Sequence, residues 1–373
     1  MNFIIQSKAL LQQLQIVGGV VSGNSNLPIL NDFLFVIKGG ELTIYGSDLE
    51  TTISSRIPVQ ANEDGKIAIQ AKLLTDTLKT FPDQPLTFTV HPENHSVTVT
   101  SETGKYKVAG HDPAEFPNLP EFEGGAEFSI DSSILAQAIS KTIFATSNDE
   151  MRPVMMGVYL ELGPDGINFV ATDAHKLVKY SRTDITTPEV RSIILPKKPL
   201  NLLKTILLNY DLPVELKFNE KNLIVQFDKI TVQSRLIEGK YPNYEAVIPK
   251  VNPNQLTVDK SQFINTLRRV SIFANKTTYQ VRLKMSGSEL QVSAEDLDFA
   301  NEAYEKIVCN YNGADMEIGF NSKFLGEMLN NLDCENVIMD LSESTRAGIL
   351  RPAEEADEHE KLMMLVMPIM LNN

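Results

Sequence analysis

The chain has 373 residues, 42% hydrophobic and 22% charged, with a net charge of −14. That length exceeds what one hydrophobic core usually serves, so two or three domains are expected, and charges mixed along the chain exclude a disordered protein. The acidic balance taken alone argues against a polyanionic partner, because phosphate binding is driven by counterion release at basic surfaces, so the distribution of charge has to decide.

The first helical segment is SKALLQQLQIV (7–17), in which Leu10 and Leu14 lie four apart on one face. LTIYGSDLE (42–50) alternates like a half-buried strand and then reaches Asp48. A second helix is expected over AKLLTDTL (71–78), followed by the alternating segments LTFTV and SVTVT and an aromatic-Pro-Asn turn at Phe116-Pro117-Asn118. The same order then recurs: SSILAQAISKT (132–142), INFVATDAH (167–175), KKPLNLLK (197–204), VELKF, LIVQF and Tyr241-Pro242-Asn243. A third pass brings KSQFINTLRRV (260–270), LQVSAEDLD (290–298) and SKFLGEML (322–329).

The offset between copies is about 125 residues, the signature of an internal repeat. It places Leu10 and Leu14 over Leu135 and Ile139 and over Phe263 and Leu267, and it aligns Lys72, Lys198 and Lys323 as well as Leu74, Leu200 and Leu325. The expectation is an α+β protein of three repeated domains, 1–125, 126–250 and 251–373, each with two helices packed on antiparallel sheets.

Taking the helices as 7–21, 71–81, 131–147, 196–208, 260–276 and 321–333, together they carry a net charge of +8, so the rest of the chain carries −22. In the fourth, Leu200, Leu203 and Leu207 form the inward stripe, and Lys197 and Lys204 share the outer face. In the fifth, Phe263, Leu267 and Val270 are inward, with Arg268 and Arg269 beside or opposite them. These are either ordinary solvated faces or, if related domains turn their helices to one side, a positive surface on an acidic protein that steers a polyanion to one place.

Local support for catalysis is weak. No GxxxxGKS, GxxxxGKT or GxGxxG stretch occurs, so phosphate-cradling loops have no signal. His91 and His95 in HPENH read as a hairpin loop, because Pro92 and Asn94 oppose the helix that a metal pair at this spacing needs. Asp48, Asp173 and Asp296 are repeat-equivalent, so they fall in separate domains and read as strand-end turn residues. His175 has no nucleophile setting around it. No catalytic residue, metal or cofactor is expected. Cys309 and Cys334 are the only cysteines, the start is not signal-like, and the longest apolar run, Leu362 to Leu371, is too short for a bilayer, which together suggest a soluble cytoplasmic protein.

LPIL (27–30), SDLE (47–50), FPNLP (116–120), RPVMMGV (152–158), ATDAHKL (171–177), LPKK (195–198), YPNY (241–244), MEIGFN (316–321) and MPIML (367–371) run from end to end of the chain. With the threefold plan they make it resemble the bacterial sliding-clamp family, the beta subunits of DNA polymerase III. The resemblance implies a DNA clamp fold forming half of a closed ring, a head-to-tail homodimer whose twelve helices line a hole. Helices about 10 Å apart around a circle give a diameter of about 38 Å through their axes and about 28 Å inside the backbones, which admits duplex DNA. It further implies a non-catalytic processivity factor that contacts phosphates weakly and without sequence preference.

By the same resemblance, DNA contacts fall on Lys72, Arg152, Lys197 and Lys198, with Asn24 where the family often has a basic residue and Val154 where some members have an aromatic. Ring closure falls on the strand carrying Lys105, Tyr106 and Val108, against Ile272, Phe273, Glu302 and Glu305. A cleft for short linear peptides takes Met155, Thr172, Ala174, His175, Lys176, Leu177, Pro242, Val247, Leu365, Met367, Pro368, Ile369 and Leu371, with Met370 where the family usually has a basic residue. Met and Leu side chains suit such a cleft because they repack around different apolar anchors. The implied partners are the replicative polymerase alpha subunit, the clamp loader, translesion polymerases, mismatch-repair proteins and ligase. The competing readings are a metal-dependent hydrolase built on the Asp and His residues of the repeat loops, and a scaffold with no nucleic-acid role.

Overall fold

The computed structural model describes residues 1–23, 25–118, 122–354 and 357–371; Asn24 and the end of the FPNLP stretch lie outside them. The described residues contain six α-helices: α1 (Ser7–Val17), α2 (Ala71–Lys79), α3 (Ser132–Thr142), α4 (Lys197–Leu207), α5 (Lys260–Val270) and α6 (Ser322–Asn330). All are shorter than the expected spans. α1 stops at Gly18, whose N–H still donates to the Leu14 carbonyl at 2.7 Å, and Gly19 follows. α3 and α5 tighten into 3-10 turns, Ile143–Ala145 and Ser271–Phe273, so Lys276 leaves the fifth helix. No described helix is long and apolar enough to cross a membrane.

The apolar positions aligned by the repeat are the core. Leu10, Leu14, Leu135, Ile139, Phe263 and Leu267 are all buried, as are Leu74, Leu200 and Leu325. The Asp turns also recur. Asp48 Oδ1 accepts from the N–H groups of Glu50 and Thr51, Asp173 Oδ1 from those of His175 and Lys176, and Asp296 Oδ1 from that of Asp298. Leu49 and Ala174, which follow the first two aspartates, share a left-handed backbone with φ of 80° and 77°. HPENH forms the hairpin loop between Pro85–Val90 and Val97–Thr100, with the His91 N–H donating to the Ser96 carbonyl at 2.9 Å.

The chain divides into two compact units, residues 1–136 with 201–236 and residues 137–200 with 237–373. In the first, a five-stranded sheet runs in the order Gln60–Ala61, Asn2–Gln6, Pro85–Val90, Val97–Thr100, Lys105–Val108. A nine-stranded sheet accompanies it, in which Thr51–Pro58 of the first repeat pairs antiparallel with Ile230–Arg235 of the second, Ile53 opposite Val232. The second unit holds a twelve-stranded sheet in which Lys176–Arg182 pairs with Glu360–Val366, from Lys176 opposite Val366 to Arg182 opposite Glu360. Each unit is therefore one sheet system shared by two repeats.

The far end of that second pairing carries a buried ionic knot. Arg182 is 5% exposed. Its guanidinium donates to Asp184 at 2.5 and 2.8 Å and to Asp357 at 2.5 Å, and lies 4.0 Å from Glu360. Glu360 in turn accepts from the Tyr180 hydroxyl at 3.2 Å and from the Gln137 amide at 3.0 and 3.2 Å. The hydrogen bond to Arg182 holds the Asp184 carboxyl below its ordinary range. That contribution is complete above the unfolded carboxylate pKa near 4 and is lost as pH falls through the depressed value.

Replacing Arg182 by Met leaves the three carboxylates without their cation. Because two of them are partly exposed, the expected cost to this unit is about 2–3 kcal/mol, at the low end for a broken buried pair. Urea denaturation measures it; an unchanged midpoint contradicts the assignment.

Candidate functional site

At the other end of the Lys176–Arg182 strand the chain builds a tight turn. Asp173 Oδ1 accepts from the His175 and Lys176 N–H groups, each at 2.9 Å. The Thr172 hydroxyl donates to the Lys176 carbonyl at 2.7 Å and accepts from the Ala174 N–H at 3.2 Å. Lys176 belongs to the frame rather than to an open surface. It is 6% exposed, its Nζ sits 2.9 Å from Asp173 and 3.0 Å from Glu327 on α6, and it lies 4.6 Å over the Phe324 ring. Phe324 also stacks on the exposed His175 ring at 6.0 Å.

The C-terminal segment runs past this turn. The Met367 N–H donates to the His175 carbonyl at 2.9 Å, and the Ile369 N–H donates to the Gly319 carbonyl at 2.8 Å. Met367 is exposed, Pro368, Ile369 and Leu371 are half-buried, and Met370 is exposed.

An apolar cluster, called the basin below, adjoins it. Val170, Leu177, Ile194, Tyr241, Tyr244, Ala347 and Leu365 form its buried part, and Val154, Tyr159, Ile237, Ile248 and Met363 pack against them half-buried. Tyr159 stacks on Tyr241 with ring centroids 4.5 Å apart and meets Tyr244 edge-on at 6.4 Å. Tyr244 donates to Glu161 at 2.5 Å, and burial followed by that carboxylate pushes its phenol upward, so it stays a neutral donor. Lys179 lies 5.4 Å over the Tyr244 ring and pairs with Glu245 at 3.4 Å. The exposed Pro242 and Val247 flank the two tyrosines along the chain.

Of the thirteen residues expected in the cleft, hydrogen bonds and strand pairing join Thr172, Ala174, His175, Lys176, Leu177 and Leu365 to Met367, while Ile369 is bonded to Gly319. Met155 is buried in the 3-10 turn Pro153–Met155, next to the basin residue Val154. Phe324, Tyr159, Tyr241, Met363 and Gly319 were not anticipated. The sequence carried a signal for two of them: Tyr241 lies in the repeated turn and Gly319 interrupts MEIGFN.

The basic candidates are distributed differently. α4 opens with Lys197 and Lys198, so two ammonium groups stand at a helix start whose N–H groups also favour anions. Lys197 donates to Asn148 at 3.1 Å, and Arg152 donates to the neighbouring Asp149 at 2.8 Å, which brings Arg152 and Lys197 to one loop. Lys72 is exposed on α2 in the first compact unit. Two other helix charges are paired within the chain, which corrects the simple charge sum. Arg269 forms a two-point pair with Glu305 at 2.6 and 2.7 Å, and Lys141 is buried against Asp333.

The two strand edges expected at the ring joint are both open on one side. Lys105–Val108 is the last strand of the five-stranded sheet, with Lys105 and Tyr106 exposed and Val108 buried, so Val108 offers only its main chain outward. Residues 301–308 pair on one side with Glu289–Asp296, while the second neighbour, Asn254–Asp259, reaches only 309–311. Beside that edge Ile272 is 66% and Phe273 40% exposed, and Glu302 is exposed.

Three family models match in succession: the N-terminal domain of the DNA polymerase III beta subunit over residues 1–120, its central domain over 129–243 and its C-terminal domain over 245–368. The chain is 30% identical over 373 residues to the beta sliding clamp of Pseudomonas aeruginosa and 28% identical over 372 residues to that of Escherichia coli, covering 100% of each. Among solved structures it is similar to a sliding clamp from Pseudomonas aeruginosa bound to griselimycin, with a TM-score of 0.94 at 30% identity over 100% of both chains. The beta subunit from Thermotoga maritima shares the fold, with a TM-score of 0.90 at 22% identity and the same coverage.

Asp173→Ala removes the acceptor that closes the turn under the C-terminal segment. Hydrogen bonds to a charged group contribute about 1.5–3 kcal/mol, so the His175 and Lys176 amides are expected to exchange at least about tenfold faster, while Asp173→Asn, which keeps an acceptor, costs less. Native-state hydrogen exchange reads this; equal protection in all three proteins contradicts it.

Proposed function

The chain belongs to the DNA polymerase III beta subunit family, the DNA sliding clamps, and from that premise we propose how its own residues carry the clamp's work. A sliding clamp is a non-catalytic processivity factor: it binds DNA and tethers a polymerase there. The three domains are placed at 1–125, 126–250 and 251–373, in a cytoplasmic protein.

Two chains associate head to tail and close a ring around duplex DNA. The open edge at Lys105–Val108 of one chain meets the open edge at residues 301–308 of the other, continuing the sheet across the joint. Lys105 and Lys107 face an edge carrying Glu302 and Glu305, although Glu305 already holds Arg269, and Tyr106 meets Ile272 and Phe273. DNA phosphates are met by Lys72, Arg152, Lys197 and Lys198. Contacts made by so few cations are weak enough to exchange along the duplex, which is what sliding requires.

Partner proteins are held at the basin. The polymerase alpha subunit, clamp loader, translesion polymerases, mismatch-repair proteins and ligase each insert a short linear segment with apolar anchors over Tyr159, Tyr241 and Met363, between the 172–177 turn and the C-terminal segment. The carrying observation is convergence: residues from 154–159, 170–177, 241–248 and 363–365 come from separate parts of the sequence and pack into one apolar cluster, and the 367–369 segment is bonded to the 172–177 turn and to Gly319. Griselimycin, bound by the Pseudomonas aeruginosa relative, is taken to occupy the same site here.

Lys197→Gln combined with Lys198→Gln is expected to lower the slope of log affinity for duplex DNA against log salt by about 1.8, from about 0.9 per phosphate contact. A slope equal to that of the parent removes these lysines from the channel. Truncation after Pro368 is expected to abolish griselimycin binding while sedimentation still reports twice the chain mass; unchanged affinity refutes the cleft.

A further inference from the structure

The strand Met316–Asn321 is the last of the twelve-stranded sheet. On one side it pairs with Gln280–Ser286, Gly319 opposite Arg282, and on the other it makes a single bridge, Gly319 to Ile369. The C-terminal segment therefore hangs from two main-chain hydrogen bonds, Met367 to His175 and Ile369 to Gly319, with Pro368 between them donating none.

Gly319 is not in the left-handed region, so its backbone does not call for glycine. Space does. A Cβ there would lie 2.6 Å from the Ile369 carbonyl oxygen and 2.8 Å from Leu371 Cδ2. The first of these is main chain and cannot rotate away. The flanking Ile318 and Phe320 are fully buried, so the strand is fixed by the core and the two-bond segment is the part free to yield.

We infer that Gly319 is a positioning residue for the peptide site: by allowing the C-terminal segment to lie directly on the sheet edge, it sets that wall of the basin and with it ligand affinity. This rests on the cleft reading above. The segment continues the strand that supplies Met363 and Leu365 to the basin, so moving it outward displaces Ile369 and Leu371 while the buried cluster keeps its packing.

The test compares Gly319→Ala with Gly326→Ala, a substitution in α6 whose new Cβ meets nothing closer than 4.0 Å. Gly319→Ala is expected to weaken griselimycin at least tenfold and to raise exchange of the Ile369 amide at least tenfold, with the amides of the Gln280–Ser286 pairing still protected; Gly326→Ala leaves all three unchanged. Parent-like affinity or Ile369 protection in Gly319→Ala overturns the inference. Should that variant fail to fold, Ile369→Pro removes the same hydrogen bond from the segment's side, and parent-like affinity in it overturns the inference equally. If truncation after Pro368 abolishes binding while Gly319→Ala does not weaken it, only this inference falls; if truncation has no effect, the cleft itself falls.

Discussion

Main-chain pairing between strands of different repeats is the constraint on which the other features rest. Thr51–Pro58 with Ile230–Arg235, and Lys176–Arg182 with Glu360–Val366, each make one sheet out of two repeats. An antiparallel ladder of this length fixes register to the residue, because a slip by one would turn every buried side chain outward. Within the second unit the same pair carries the Arg182 knot at one end and the 172–177 turn, proposed as part of the peptide site, at the other. The proposed site thus stands on a seven-residue ladder shared by two repeats.

The charge distribution follows a second constraint. An acidic protein that must travel along a polyanion needs few, exposed and weak cationic contacts. Pairing removes Arg269 and Lys141 from that role, and Lys176, basic and close to the cleft, serves to tie the 172–177 turn to α6. Lys72 and Lys198 are exposed on helices and Lys197 is half-buried, the latter two at the start of α4.

Much of this was legible in the sequence, and the reasons differ by feature. Helix stripes such as Leu10-Leu14 and Phe263-Leu267 are local and periodic, so they were read correctly together with the repeat that aligns them. The Asp48, Asp173 and Asp296 turns are also local, each closed by bonds spanning two or three residues. Helix ends were overrun because the 3-10 turns after α3 and α5 keep the apolar pattern while changing the pitch. Arg182 and Phe324 are not legible for another reason: their partners lie far away in sequence, as Asp357 does from Arg182, and no spacing rule reports a contact that only the fold creates. The peptide and DNA residues were named from family resemblance, not from periodicity.

The most direct test of the account is topological. Clamp assembled with its loader on nicked circular duplex is sedimented or filtered before and after the DNA is cut once at a distant site. The account predicts retention on the circle and rapid loss from the linear form, at a salt concentration where Lys197 and Lys198 contacts alone hold nothing. Equal retention on circular and linear DNA would contradict it, because the chain would then be held by affinity and not by encirclement.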